Sequence, residues 1–186
     1  MSNTASFFLN LLSGGIVGGI SSFIASKYFL EHNNKKHRPA IEISDKLIHA
    51  TREDGSSALQ IKIINKTDQD IANIVFEVDG IDNLSPEGSI PLFRVRRIGS
   101  RNIMFVKRYD KNDTKTNYAH RSNLINLEKD IITECQKFDT IQVSIKAECP
   151  YYGTSFVTSK EYNKNEDILN SSYSFNTGDS LSCSSH

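Results

Sequence analysis

Tryptophan is absent from this chain, methionine occurs twice, proline four times and cysteine three times in 186 residues. Cys135, Cys149 and Cys183 are odd in number and widely spaced, and none forms a C-x-x-C pair. That pattern gives neither a disulfide framework nor a zinc site, and it suits a reducing compartment. Net charge is also missing: 22 basic and 22 acidic side chains cancel to a formal charge of zero. Balance of this kind argues against nucleic-acid binding by bulk charge. There is no glycine-rich phosphate loop, no H-E-x-x-H and no G-x-S-x-G. Of His32, His37, His49, His120 and His186, none stands at helical or hairpin spacing to another. Cys135 with His120 is the nearest approach to a nucleophile and base, but Cys135 falls on an apolar helical stripe, the usual place of an inert buried thiol. The expectation is no enzyme, no metal and no cofactor.

What is present begins with one long hydrophobic run. Ser6–Ser26, SFFLNLLSGGIVGGISSFIAS, carries no charge, and about 20 such residues are enough to cross a hydrocarbon core as a helix. Met1–Ala5 holds no Lys or Arg, and Phe23 stands where a cleavage site ending at Ala25 would need a small residue, so an uncleaved anchor is expected. On a helical projection Asn10, Gly14, Gly15, Gly18, Gly19, Ser21, Ser22, Ala25 and Ser26 occupy roughly one half of the cylinder. Leu9, Ile16, Ile20, Phe23 and Ile24 occupy the other, with Phe8 and Leu11 as exceptions on the small side. Gly14-x-x-x-Gly18 and Gly15-x-x-x-Gly19 overlap, and the series continues through Ser22 and Ser26. Small residues at this spacing let helix backbones approach in lipid, where packing rather than escape from water drives association. Asn10 on that face is better placed against another helix than against lipid. Self-association into a homo-oligomer is the functional reading, and a plain anchor the simpler one.

The short N-terminal flank has no basic residue, whereas Lys27, Lys35, Lys36 and Arg38 follow the run. The positive-inside rule therefore places the N-terminus outside and the remainder in the cytoplasm. The expected domains are a membrane helix over 1–31 (span about 6–26), a basic linker over 32–39, a cytoplasmic β domain over 40–175 and a disordered tail over 176–186. The sequons at Asn65, Asn112 and Asn170 have no use on the cytoplasmic side.

From Ala40 the periodicity is two. Ile41 and Ile43 alternate with polar residues, and the pattern resumes at Leu47–Thr51. Leu59, Ile61 and Ile63 alternate with Gln60, Lys62 and Ile64, which predicts a half-buried strand. Ile71–Gly80 follows, then two basic strands, Leu92–Ile98 and Asn102–Tyr109, joined at Gly99-Ser100. Asn126–Phe138 switches to helical spacing, with Asn126 as the candidate cap. Thr140–Glu148 is the cleanest alternation, Ser155–Tyr162 returns beyond Pro150 and Gly153, and Ile168–Phe175 is a candidate edge strand. The expected fold is mainly β: one N-terminal transmembrane helix, then an antiparallel β-sandwich of immunoglobulin-like type, or a small barrel, with one short helix.

One cluster stands above background. Arg94, Arg96, Arg97, Arg101, Lys107 and Arg108 crowd into the two basic strands, with Tyr109 and Tyr118 nearby. Bidentate guanidinium groups beside a stacking ring suit a small anionic ligand such as a nucleotide signal. The plain alternative is a solvated sheet face whose charges discourage edge pairing.

The order of parts, a membrane helix followed by a cytoplasmic β domain, resembles the membrane effectors of bacterial anti-phage systems, in particular the two-span β-barrel effectors of cyclic-oligonucleotide signalling. The present chain has one span where those have two. The resemblance implies a β domain that senses a signal and a helix that assembles and perturbs the membrane. The alternative is an immunoglobulin-like adaptor, tethered to the inner membrane, that recruits a protein partner.

Overall fold

The computed structural model describes residues 22–29, 31, 38–85, 90, 92–126 and 128–186. The chain divides into two compact units, Met1–His37 and Arg38–His186. In the first, residues 22–29 and 31 are helical. Among the described residues no helix is long and apolar enough to cross a membrane. Most of the predicted span, residues 6–21, lies outside the described residues, as does most of the linker, 32–37.

The second unit is mainly β. Its strands are β1 (Ile41–Ile43), β2 (Leu47–Thr51), β3 (Ser57–Asn65), β4 (Ile71–Asn83), β5 (Phe93–Val106), β6 (Ala119–Leu124), β7 (Thr140–Cys149), β8 (Thr154–Asn163), β9 (Ile168–Leu169), β10 (Tyr173–Phe175) and β11 (Cys183–Ser185). One sheet is built on β3, which pairs antiparallel with β1, β2 and β6, while β9 joins β2 in parallel. A four-stranded antiparallel sheet runs β5-β4-β7-β8. The apolar faces of the two sheets meet in one core. Leu47, Leu59, Ile61 and Ile63 come from the first sheet, and Ile74, Phe76, Val78, Ile141, Val143 and Ile145 from the second. The alternation read from β3, β4 and β7 is what builds that core, since residues two apart share a sheet face. All three cysteines are free.

Four expectations need correction. First, Gly99-Ser100 is not a turn. β5 passes straight through it, and the register against β4 slips there instead, with Val78 opposite Gly99 and Asp79 opposite Arg97. A Cβ on Gly99 would lie 2.8 Å from Ile131 Cδ1 and 2.9 Å from the Ile125 carbonyl oxygen, so glycine marks a close approach to a bulged strand. Second, the helix is shorter than its periodicity suggests, Ile131–Cys135, and Asp130 caps it by accepting from the Thr133 amide at 2.8 Å. Asn126 instead caps a preceding turn, accepting from the amides of Glu128 and Lys129 and donating to the Ile98 carbonyl at 2.8 Å. Third, β3 is not half-buried along its length, because Ile61, Lys62, Ile63, Ile64 and Asn65 are all buried. Fourth, the tail is ordered into the fold. β10 and β11 pair antiparallel, and the loop between them lies over Lys62.

Just past the short helix, Phe138 packs on the backbone of β4 where Gly80 leaves room, since a Cβ there would sit 2.3 Å from the ring. Gly80 and Gly99 thus seat Phe138 and Ile131 on β4 and β5, and fix which side of β5 faces the helix.

Candidate functional site

The arginine cluster follows from that seating. Gly80, whose bare side faces Phe138, pairs with Arg96. Arg96 therefore lies on the helix side of the sheet, and Arg94 shares that side by alternation. Arg97 pairs with Asp79 and projects from the opposite face together with Val95 and Phe93.

Each of these three arginines has an acidic neighbour. Arg94 donates from Nε and Nη2 to Asp82. Arg97 donates from Nε to Asp79 at 2.5 Å and from Nη2 to Glu77 at 2.9 Å, and these carboxylates hold its guanidinium more firmly charged than usual. Arg96 is less engaged: among the described residues its ion-pair partner is Glu134, at 3.9 Å. Glu134 is a buried carboxylate with three cations round it. Lys137 donates to Oε1 at 2.6 Å, while Lys129 and Arg96 stand at 3.9 Å. The Lys137 hydrogen bond comes first among the causes that hold the Glu134 carboxyl below its usual range. Oε2 has no hydrogen-bond partner among the described residues.

The remaining predicted residues lie elsewhere. Arg101 pairs with Phe76 across the sheet, and after burial it is the next cause lowering the pKa of His120. Lys107 and Arg108 follow the far end of β5, roughly 40 Å of extended chain from Arg94. There the Lys107 carbonyl accepts from Asn65 Nδ2 and the Arg108 amide donates to Asp70. Tyr109 packs edge-on against Tyr118, ring centroids 4.8 Å apart, with Lys66 Nζ 4.6 Å from its centre. The seven residues proposed for an anionic ligand therefore do not converge on one pocket. Of the helix-face residues, Asn10, Gly14, Gly15, Gly18 and Gly19 lie outside the described residues. Ser22 and Ser26 lie on the described helical segment and are exposed.

What does converge near Arg94 and Arg96 is apolar. Leu84, Ile90, Leu92, Phe93 and Val95 cluster at the β4–β5 hairpin and are all exposed, Ile90 at 89%, Phe93 at 57% and Val95 at 59%. β5 is an edge of its sheet. Ser100 bridges to Ile125, but Phe93–Arg97 has no strand on its outer side among the described residues. Sequence reasoning took this stretch for its charge and missed its apolar alternation, although Phe93-Arg94-Val95-Arg96 was there to read.

Two other features escaped the sequence. Lys62, 2% exposed, donates from Nζ to the carbonyls of Asn176, Gly178 and Ser180 at 2.7–2.8 Å. Burial pulls its pKa below the ordinary lysine value, and its cross-strand neighbour Arg121 pulls the same way. Arg121 donates to the Phe175 carbonyl at 2.7 Å. The signal available was Ile64, an apolar residue on the face read as solvated. A cavity of about 420 Å³ is lined by His49, Ile132, Cys135, Lys164, Ile168 and Asn170, among others. Burial pushes the Cys135 thiol up to about 12, so it is no thiolate nucleophile at neutral pH.

No family model matches the chain, and no curated protein matches it. Among solved structures, the sporulation control protein Spo0M from Bacillus subtilis is similar to it at 10% identity, over 71% of this chain and 49% of that one, with a TM-score of 0.36. The match thus spans about half of Spo0M, and it is too distant to carry an argument about function.

Proposed function

We propose that this chain is a membrane-tethered β-domain adaptor, an immunoglobulin-like sandwich on a single N-terminal anchor, that recruits a protein partner in the cytoplasm. The observation that carries this reading is the exposed apolar group at the β4–β5 hairpin, Leu84, Ile90, Leu92, Phe93 and Val95. Several exposed apolar side chains gathered at one hairpin, with arginines beside them, have the composition of a protein-binding surface. The uncharged run Ser6–Ser26 and its basic flank support the tether. The pairing of Arg94 and Arg97 with carboxylates weighs against a free anion-binding cluster.

The test is photocrosslinking in the chain's own cells from positions 93 and 144, the latter on β7 away from the hairpin. A discrete partner band is expected from position 93 alone. It should survive exchange of residues 1–31 for an unrelated single-span anchor and vanish with Leu92→Ser/Val95→Ser. Loss of the band on anchor exchange, or equal bands from both positions, would overturn the reading.

The Gly14/Gly18 and Gly15/Gly19 spacing supports a second reading: an effector that self-associates in the bilayer and perturbs it when the β domain senses a signal, in the anti-phage setting that the resemblance implies. It predicts loss of membrane potential on expression, abolished by Gly14→Leu/Gly18→Leu. A depolarisation that this double substitution leaves unchanged would remove it.

A further inference from the structure

Sheet edges in soluble proteins are normally short, covered, or marked with charge, because their unpaired amides and carbonyls accept another strand. The Phe93–Arg97 half of β5 is long enough to pair and uncovered among the described residues. Its two faces have opposite character. Phe93 and Val95 stand exposed on one side, and Arg94 and Arg96 on the other, with side chains 60% and 53% exposed. Arg94 gives Nε and Nη2 to Asp82, which leaves donors over from the five that a guanidinium carries. Among the described residues, the 3.9 Å approach to Glu134 is the ion pair that Arg96 makes.

A strand added here would set its alternate side chains against these two rows. Against Phe93 and Val95 it needs apolar residues. Against Arg94 and Arg96 it needs carboxylates, which a guanidinium binds in bidentate fashion. A second copy of this edge is disfavoured, because antiparallel self-pairing would bring arginines opposite arginines, and like charges set opposite each other are destabilising.

We propose that the Phe93–Arg97 edge of β5 binds, by strand addition, an extended peptide segment in which apolar residues alternate with Asp or Glu. This rests on the recruitment reading above and names the partner's binding element. Leu92 continues the ladder toward the hairpin tip and falls by alternation on the arginine side, so the tip receives one end of that segment.

The probe is a synthetic peptide of about eight residues alternating Val and Glu, long enough to span the edge at about 3.3 Å per residue. It is added to the full chain in zwitterionic nanodiscs, and amide hydrogen exchange is followed. Saturable binding with slowed exchange confined to residues 93–97 is expected. Arg94→Glu/Arg96→Glu should weaken binding at least about tenfold, because it sets like charges against each other. The same peptide with Lys for Glu should not bind. Binding that ignores the charge reversal or the Lys exchange, protection elsewhere, or no binding at all would overturn the inference. Protection of 93–97 in anionic nanodiscs without peptide would overturn it too, by assigning the edge to the bilayer surface. A charge-reversed chain with unchanged exchange in β7 rules out misfolding as the cause of lost binding. A partner still crosslinked at position 93 alongside a negative peptide result would remove strand addition and keep recruitment.

Discussion

Lys62 stands on the central strand of one sheet and Arg97 on an edge strand of the other, and the two cations are held in opposite ways. Lys62 is buried, and its ammonium is satisfied by three backbone carbonyls of a loop 114 to 118 residues away. Arg97 is half-exposed and bonded to two carboxylates on the adjacent strand. The first arrangement ties distant parts of the chain together. The second neutralises a local charge that water would otherwise solvate. A buried group left unpaired costs its full desolvation, whereas an exposed ion pair in high dielectric adds little. Prominence in the sequence and weight in the fold are thus reversed: the conspicuous arginine run is nearly neutral energetically, and a lone lysine in an isoleucine strand is structural.

The largest effect expected from this contrast is at Lys62. Lys62→Ala strands three carbonyls under the β10–β11 hairpin and should cost about 3 kcal/mol. The slowest-exchanging amides of β7 in the full chain report that loss. Residues 176–182 should open much further, and be cut first in limited proteolysis. A loss below about 1 kcal/mol would place Lys62 with the exposed arginines and break the comparison.

Removing residues 173–186 sharpens it. The truncation uncovers Lys62 and Arg121 together, two like charges in direct cross-strand register, and water then solvates the ammonium that the loop carbonyls held. Lys62→Ala in the truncated chain should therefore cost less than half of what it costs in the full chain, since residues in one hydrogen-bond network are not additive. Equal costs in the two backgrounds would mean that Lys62 acts through β3 packing and not through the hairpin.

How far the sequence reveals this molecule follows the same division. Period-two alternation reports the face of a strand that meets the main core, so β3, β4, β7 and β8 were legible from Leu59, Phe76, Val143 and their neighbours. It does not report a second cover on the other face. Lys62 read as solvated because nothing local shows a loop over 100 residues away folding back onto it. Gly99-Ser100 read as a turn because glycine has two uses, reversal and close approach, and only the Ile131 and Ile125 contacts decide between them. The basic cluster was visible as composition, and its faces followed from alternation. Its partners Asp79 and Asp82 lie across a hairpin whose register runs unbroken from the tip to Asp79 and shifts beyond it at Val78, which sequence spacing does not give. The apolar row Phe93 and Val95 was legible in principle but was masked by the charges between them.

The smallest effect is at Arg97. Arg97→Ala removes hydrogen bonds to Asp79 and Glu77, but the side chain is 48% exposed, so the expected cost is about 0.2–1 kcal/mol. Salt separates it from Lys62 more cleanly than size does. The screening length falls from about 10 Å at 0.1 M to about 3 Å at 1 M, which weakens charge attraction at an exposed pair and leaves a largely buried ammonium–carbonyl contact almost untouched. The cost of Arg97→Ala should therefore shrink toward zero between those two concentrations, while that of Lys62→Ala stays within about 0.5 kcal/mol of its low-salt value. A salt-insensitive Arg97 would mean that its aliphatic stem matters more than its charge. The β5 edge would then owe its geometry at Val95 to packing, and charge reversal at Arg94 and Arg96 could be carried out without disturbing it.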